Sequence, residues 1–127
     1  MEGLPVHESD LFNFGPKVKS MDIEYQVPSG KIWVIEFVSA TAYLAEGDRF
    51  GPLEIWTSAH NLEGGTSRPH HHFIPHPVGN TNRRYCVSQP TRIYAMPGSS
   101  VLVYFSRDLA KGEAHLMFTL SGRLVDA

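Results

Sequence analysis

The feature that most constrains this chain is an alternation of apolar and polar residues that recurs along most of its length. Met21, Ile23, Tyr25 and Val27 alternate with polar or charged neighbours, and the same period of two returns over 53–58 and 101–106. Successive side chains of a β-strand point to opposite faces, so a period of two is typical of a strand with one buried face. The pattern predicts an all-β protein and leaves little room for helices.

Turn signals divide the chain into about eight such segments. Pro28-Ser29-Gly30 and 97–100 mark tight connections, because proline presets φ and glycine tolerates positive φ. The segment 31–44 is rich in β-branched and aromatic residues and is apolar on both faces near Trp33, which favours a central strand. About eight strands with frequent turns predict an antiparallel β-sandwich or jelly roll.

The 127 residues suit a single domain, since domains most often run to ~100–150 residues. Within a domain over 1–127, residues 1–16 contain Pro5, Gly15 and Pro16 and are predicted to form an irregular N-terminal arm. Two short strands are expected on either side of Pro90, and 91–121 is expected to fold as a three-stranded meander.

The sequence leaves two compartments open: the cytoplasm, or export as a mature protein that lacks its signal peptide. The first ten residues lack a basic and then apolar leader pattern, and no apolar run reaches the ~20 residues of a membrane helix. Cys86 is the single cysteine, so the chain can form no internal disulfide. We expect Cys86 to be buried in the core, because free cysteine is among the most buried residue types.

Charge is distributed unevenly although the net charge is only −2. Residues 1–63 hold ten acidic and four basic residues, whereas residues 64–127 hold three acidic and seven basic ones. No aspartate or glutamate occurs between Gly64 and Arg107. Such asymmetry indicates something about partners rather than about the fold, and it also fits strands of both halves mixing in space.

The densest chemical cluster lies inside this acid-free window, where histidines are flanked by arginines. On a strand, His70, His72 and His76 would share one face, and His71 would take the other. Arginine forks suit carboxylate, phosphate or sulfate groups, and histidines add positive charge below about pH 6.5. We therefore predict a surface that binds an anionic ligand or a glycan, or that associates with the acidic half of another copy. Its residues are Arg68, His70, His72, His76, Arg83, Arg84 and Arg92, with Trp56 as a stacking platform.

The histidine spacing also resembles the first motif of the cupin family, a jelly-roll group that often binds metal. Gly64 is followed after five residues by His70-His71-His72 and after three more by His76, where the family has glutamate. The family's second motif, a Pro-x-Gly followed by a histidine, has no match near Pro97-Gly98. The resemblance implies an alternative in which His70, His72 and His76 hold one divalent transition metal, since imidazole suits Zn, Cu, Fe and Ni.

Three further segments resemble small, uncharacterised bacterial β-sandwich proteins that are often exported; these segments are 27–40, 90–99 and 120–125. That resemblance implies the fold and no activity. Phosphate loops, nucleophile elbows and paired catalytic carboxylates are absent from the sequence, and the negative net charge argues against nucleic acid as a partner. The sequence thus favours a non-catalytic binding or assembly module without a cofactor, with the cupin-like metal protein or metalloenzyme as the alternative.

Overall fold

The computed structural model describes residues 3–44, 48–60, 67–74 and 84–127, with the backbone alone at 58–60, 67–69 and 84–85. These residues form eight β-strands and no helix. The strands are Leu4–Phe14 (β1), Ser20–Gln26 (β2), Lys31–Tyr43 (β3), Leu53–His60 (β4), Ser67–Ile74 (β5), Arg84–Ala95 (β6), Ser100–Ser106 (β7) and Ala114–Asp126 (β8). The described part of the chain holds no helix with the length and hydropathy to cross a membrane.

The strands form two antiparallel sheets of four that pack together around one core. Sheet A has the order β1-β8-β3-β6 and sheet B the order β2-β7-β4-β5. The β4–β5 connection joins neighbours in one sheet, and each of the other connections passes from one sheet to the other. The all-β prediction, with about eight antiparallel strands, is confirmed.

The predicted meander over 91–121 is wrong, because β7 lies in sheet B while β6 and β8 lie in sheet A. The turn before β7 is tied to the β2–β3 connection. The backbone N–H of Gly98 donates to the carbonyl of Val27 at 3.0 Å, and the N–H of Val27 donates to the carbonyl of Ser99 at 2.9 Å. These bonds direct the chain across the two layers instead of back along the same sheet.

The irregular N-terminal arm is also wrong, because Leu4–Phe14 form β1. This strand pairs with β8 from Leu4↔Leu124 to Phe14↔Ala114 and places Phe12 and Phe14 in the core. Similarly, the two short strands expected around Pro90 are one strand, β6. Both β1 and β6 are edge strands, where a proline costs no ladder hydrogen bond on its outer side.

The core consists of the side chains that alternate inward from both sheets. Trp33 is buried as expected, and β7 follows the predicted period without interruption. The largest fully buried side chains are Phe105, Phe118, Ile35, Leu44, Leu53, Ile55, Ile74, Leu116, Leu120, Val38 and Val101. Burial of a side chain of this kind contributes roughly 1.5–3 kcal/mol, so the core supplies the main stabilisation of the two layers.

A β-bulge in β3 explains why core-facing residues of this strand have odd numbers before Glu36 and even numbers after it. The register against β8 shifts between Ile35↔Gly122 and Phe37↔Ser121, so Glu36 is an extra residue in β3. Ile35 and Val38 therefore both face the core, although they are three residues apart. The hydroxyl of Thr91 donates to the carbonyl of Ile35 at 2.8 Å and stabilises the bulge from the β6 side.

One end of the structure is closed by a buried ion pair between loops. The Arg107 guanidinium donates to the carbonyls of four residues at 2.8–3.0 Å; these are Val18, Lys111, Gly15 and Gly112. Asp48 lies 3.6 Å from Nη1 of Arg107, and both side chains are fully buried. Its carboxylate accepts backbone N–H bonds from Arg49, Leu109 and Lys111. The pair joins three loops without leaving its charges unpartnered.

Candidate functional site

Strand β5 divides the predicted histidines between the two faces of sheet B. It pairs with β4 so that Ile55 lies opposite His72 and Thr57 opposite His70. Ile55 and Thr57 are buried on the face towards the core, His72 is half-buried there, and His70 shares their parity but is exposed. Trp56 lies opposite His71, on the outer face. The alternation predicted from the sequence is confirmed for these residues, because Ile74 is buried while Phe73 is 58 % exposed.

On the outer face of sheet B, four rings from three neighbouring strands form a continuous group that we call the aromatic strip. Its members are Tyr104 of β7, Trp56 of β4, and His71 and Phe73 of β5. The imidazole of His71 stacks on the indole of Trp56 with ring centroids 3.9 Å apart and planes 8° apart. Tyr104 lies 5.7 Å from Trp56 on the other side, and Phe73 lies 6.4 Å from His71.

The Glu54 carboxylate contacts the two central rings of the aromatic strip. Trp56 Nε1 donates to Oε1 of Glu54 at 2.9 Å, and Nδ1 of His71 lies 3.8 Å from the same oxygen. The hydrogen bond fixes the rotation of the indole, and the stacking fixes the imidazole. The strip is therefore ordered by contacts of its own.

The inner face of β5 carries a second polar group. Nε2 of His72 lies 3.2 Å from the hydroxyl of Thr57, which is buried. Burial lowers the pKa of His72 below its usual value, and the nearby imidazoles of His70 and His71 lower it further. His72 is therefore disposed to be neutral at the inner face, which is the form in which imidazole binds a metal.

Among the residues described, the predicted His/Arg surface is divided between the two sheets. Arg92 is exposed on β6 of sheet A, whereas Trp56 lies on the outer face of sheet B; His70 and His72 have the opposite parity to Trp56, with His70 exposed and His72 half-buried. Arg68 and Arg84 lie on β5 and β6 at the edges of the two sheets. His76 and Arg83 fall outside the described residues.

Sequence reasoning missed Glu54 and Tyr104 as members of the site. Glu54 lies on the same face of β4 as Trp56, and Tyr104 lies opposite Glu54 on β7. The sequence does not show that β4 pairs with β5 and β7, and only this pairing brings the residues together. Cys86 is a further correction, because it is exposed on sheet A, opposite Thr41, instead of being buried. Its strand alternates as expected, and the buried member of this stretch is Val87.

Among the described residues no group of three or more His, Cys, Asp or Glu side chains is arranged to hold a metal. The third member of the predicted metal set, His76, lies outside them. The chain matches no protein-family model and no curated protein.

Proposed function

We propose that this protein is a non-catalytic binding module that recognises a carbohydrate with the outer face of sheet B. The observation that carries the proposal is the aromatic strip, in which Trp56, His71, Phe73 and Tyr104 lie side by side with the Glu54 carboxylate. Aromatic rings with a polar handle suit ligands that present both an apolar surface and hydroxyl groups. A sugar ring has both.

Glu54 supplies the polar part of the proposed site. A carboxylate offers about four lone-pair positions, so it accepts ligand hydroxyls in addition to the Trp56 N–H. A charge-assisted hydrogen bond of this kind is stronger than a neutral one. Specificity for hydroxyl orientation would come from this carboxylate, while the rings provide contact area.

Charges on the same face favour a neutral ligand over an anionic one. Asp22 and Glu24 of β2 are exposed, and their parity places them on the outer face of sheet B together with Glu54. An anionic glycan would be repelled there. Of the ligand residues predicted from the sequence, the proposal therefore retains Trp56 and assigns the arginines to a different surface.

The strand order supports a jelly-roll topology for the module. Sheets with the orders β1-β8-β3-β6 and β2-β7-β4-β5 arise when a long hairpin of eight strands is rolled up, with β1 beside β8, β2 beside β7, β3 beside β6 and β4 beside β5. Jelly rolls include lectin domains and cupins. This is an analogy of fold, and the function rests on the strip.

The test is affinity electrophoresis through gels that contain neutral polysaccharides such as xylan, β-glucan or mannan. We expect retardation by at least one of them, and Trp56→Ala should weaken binding roughly tenfold, since an aromatic contact of this kind contributes about 1.5 kcal/mol. Tyr94→Ala is the matched control, because Tyr94 is an aromatic residue of sheet A and 53 % exposed. Equal loss in both variants, or no retardation by any neutral polysaccharide, would contradict the proposal.

The second candidate is the cupin-like metal site of His70, His72 and His76. It is favoured by the shared face of His70 and His72 on β5, by the half-buried position of His72 and by the lowered pKa of His72. Elemental analysis of untagged protein purified without chelator decides it. This candidate predicts about one metal per chain, lost in His72→Ala/His76→Ala and kept in Arg84→Ala; a protein that cannot be loaded with Zn, Ni, Fe, Cu or Mn would refute it.

A further inference from the structure

The uneven distribution of charge along the sequence places acidic and basic residues on opposite edge strands of the two sheets. Strands β1 and β2 are edge strands of sheets A and B, and β6 and β5 are the opposite edge strands. We call β1 and β2 the acidic edge, because they carry four acidic residues and no lysine or arginine; these are Glu8, Asp10, Asp22 and Glu24. We call β5 and β6 the basic edge, because they carry three arginines, three histidines and no acidic residue; the arginines are Arg68, Arg84 and Arg92.

The two strands of the acidic edge lie together in space, so their charges add. Burial raises the pKa of Tyr25 on β2 to about 12, and the carboxylates of Asp10 and Glu8 on β1 contribute to this shift across the gap between the sheets. β1 packs against β2, and β6 packs against β4, the neighbour of β5. Lys17 and Lys19 belong to the loop between β1 and β2 and lie at the end of that edge.

The geometry of the sheets suits contact between opposite edges of two copies. Each sheet has four strands that alternate in direction, so β6 runs antiparallel to β1 and β5 runs antiparallel to β2. A translation that places the basic edge of one copy beside the acidic edge of the next therefore continues the antiparallel alternation in both sheets. Opposite charges then meet along both layers.

We propose that this protein associates with itself head to tail, with the acidic edge of one copy docked on the basic edge of the next. Such a contact is heterologous, so it produces open chains rather than a closed dimer. Proline lacks a backbone N–H, and Pro69 in β5 and Pro90 in β6 limit backbone pairing along the basic edge. The association therefore depends on side-chain charge and is reversible and sensitive to salt.

Sedimentation velocity at about 20 mM and about 500 mM NaCl tests the salt dependence, because the screening length falls from roughly 20 Å to roughly 4 Å between them. Protein concentrations should extend to about 1 mM, since contacts between exposed charges are weak. We expect the weight-average sedimentation coefficient to rise with concentration at low salt, beyond the value of a dimer, and to return to the monomer value at high salt. A monomer under both conditions, or an association that stops at the dimer, would overturn the proposal.

Variants with neutralised charges test whether the contact joins the acidic edge of one copy to the basic edge of another. Asp22→Asn/Glu24→Gln weakens the acidic edge, and Arg84→Gln/Arg92→Gln weakens the basic edge. We expect each variant alone to remain monomeric at low salt, while an equimolar mixture forms a one-to-one dimer that grows no further, because one intact edge of each kind remains. A mixture without dimers overturns the head-to-tail arrangement.

The matched controls remove the same charge elsewhere. Asp108→Asn/Glu113→Gln and Arg49→Gln/Lys111→Gln change exposed residues between the strands and should associate like the unaltered protein. If instead the unaltered protein is monomeric and heparin binds it through Arg84 and Arg92, the basic edge serves an anionic ligand and the proposal fails. Because the aromatic strip is not altered, polysaccharide binding reports on the first proposal independently.

Discussion

At the scale of single residues, Arg107 and Asp48 show why a charge in the sequence does not identify a surface. Arg107 is the last residue of the acid-free window and belongs to the basic half of the sequence. In the structure its side chain is fully buried: four loop carbonyls accept its N–H groups, and the Asp48 carboxylate lies 3.6 Å away as its ion-pair partner. The sequence around Arg107 does not indicate these partners, because they belong to three separate loops.

Asp48 should make the protein sensitive to acid. Burial alone raises the pKa of Asp48, but the N–H donors of Leu109, Arg49 and Lys111, together with the Arg107 charge, outweigh it and hold the pKa below its usual value. A carboxyl whose pKa is lowered by folding contributes stability that is complete above its unfolded pKa of about 3.9 and is lost as the pH falls below it.

Urea unfolding of the unaltered protein and of Asp48→Asn should therefore differ more at about pH 6 than at about pH 3. We expect the variant to lose about 1.5–3 kcal/mol at the higher pH, the range for hydrogen bonds to a charged group. The control Asp108→Asn removes an exposed carboxylate from a neighbouring loop and should change little. A pH-independent difference between unaltered protein and Asp48→Asn would argue against this assignment.

At the scale of elements, the alternation of the sequence predicts strands well and their irregularities poorly. β7 and the inner and outer faces of β4 and β5 follow from the period of two. The bulge in β3 does not, because a bulge is defined by the partner strand, and the sequence does not name β8 as that partner. The alternation also predicts that Trp56 is accessible. Its contacts with His71, Glu54 and Tyr104 cannot be predicted in this way, because they depend on which strands lie beside β4.

The bulge also depends on a close approach that only glycine permits. A Cβ at Gly122 would collide with the carbonyl of Val34 next to the bulge. We expect Gly122→Ala to lower the free energy of unfolding by about 1–3 kcal/mol, the usual cost of overpacking. Urea denaturation measures this. Gly15→Ala is the control, since a Cβ at Gly15 meets nothing within 4 Å; a similar loss in both variants would mean that the bulge is not the cause.

At the scale of the whole molecule, composition and period predict the class of fold, and pairing between distant strands decides the rest. β1 pairs with β8 and β3 with both β8 and β6, so the sheets are built from contacts between the two ends and the middle of the chain. The charge asymmetry was readable from the sequence. Its placement on opposite edges was not, because it requires the strand order.

This topology predicts slow folding. All-β domains dominated by distant pairings fold in roughly milliseconds to seconds, because the entropy of closing long loops is lost before contacts compensate for it. Stopped-flow fluorescence of Trp56→Phe would follow folding through the buried Trp33 alone. We expect the native signal in a millisecond or slower phase. Full recovery in microseconds would show that local contacts dominate instead.

The extra residue in β3 has a consequence for how this strand tolerates change. Before the bulge the odd-numbered positions 33 and 35 face the core, and after it the even-numbered positions 38, 40 and 42 do. A saturation screen along β3 should therefore find that the sensitive positions switch phase once, at Glu36. Deleting that single exposed residue would leave one residue between Ile35 and Val38 and restore the regular alternation against β8, so both halves of the strand would keep their core-facing positions, whereas the same deletion elsewhere in β3 would shift one half to the wrong face.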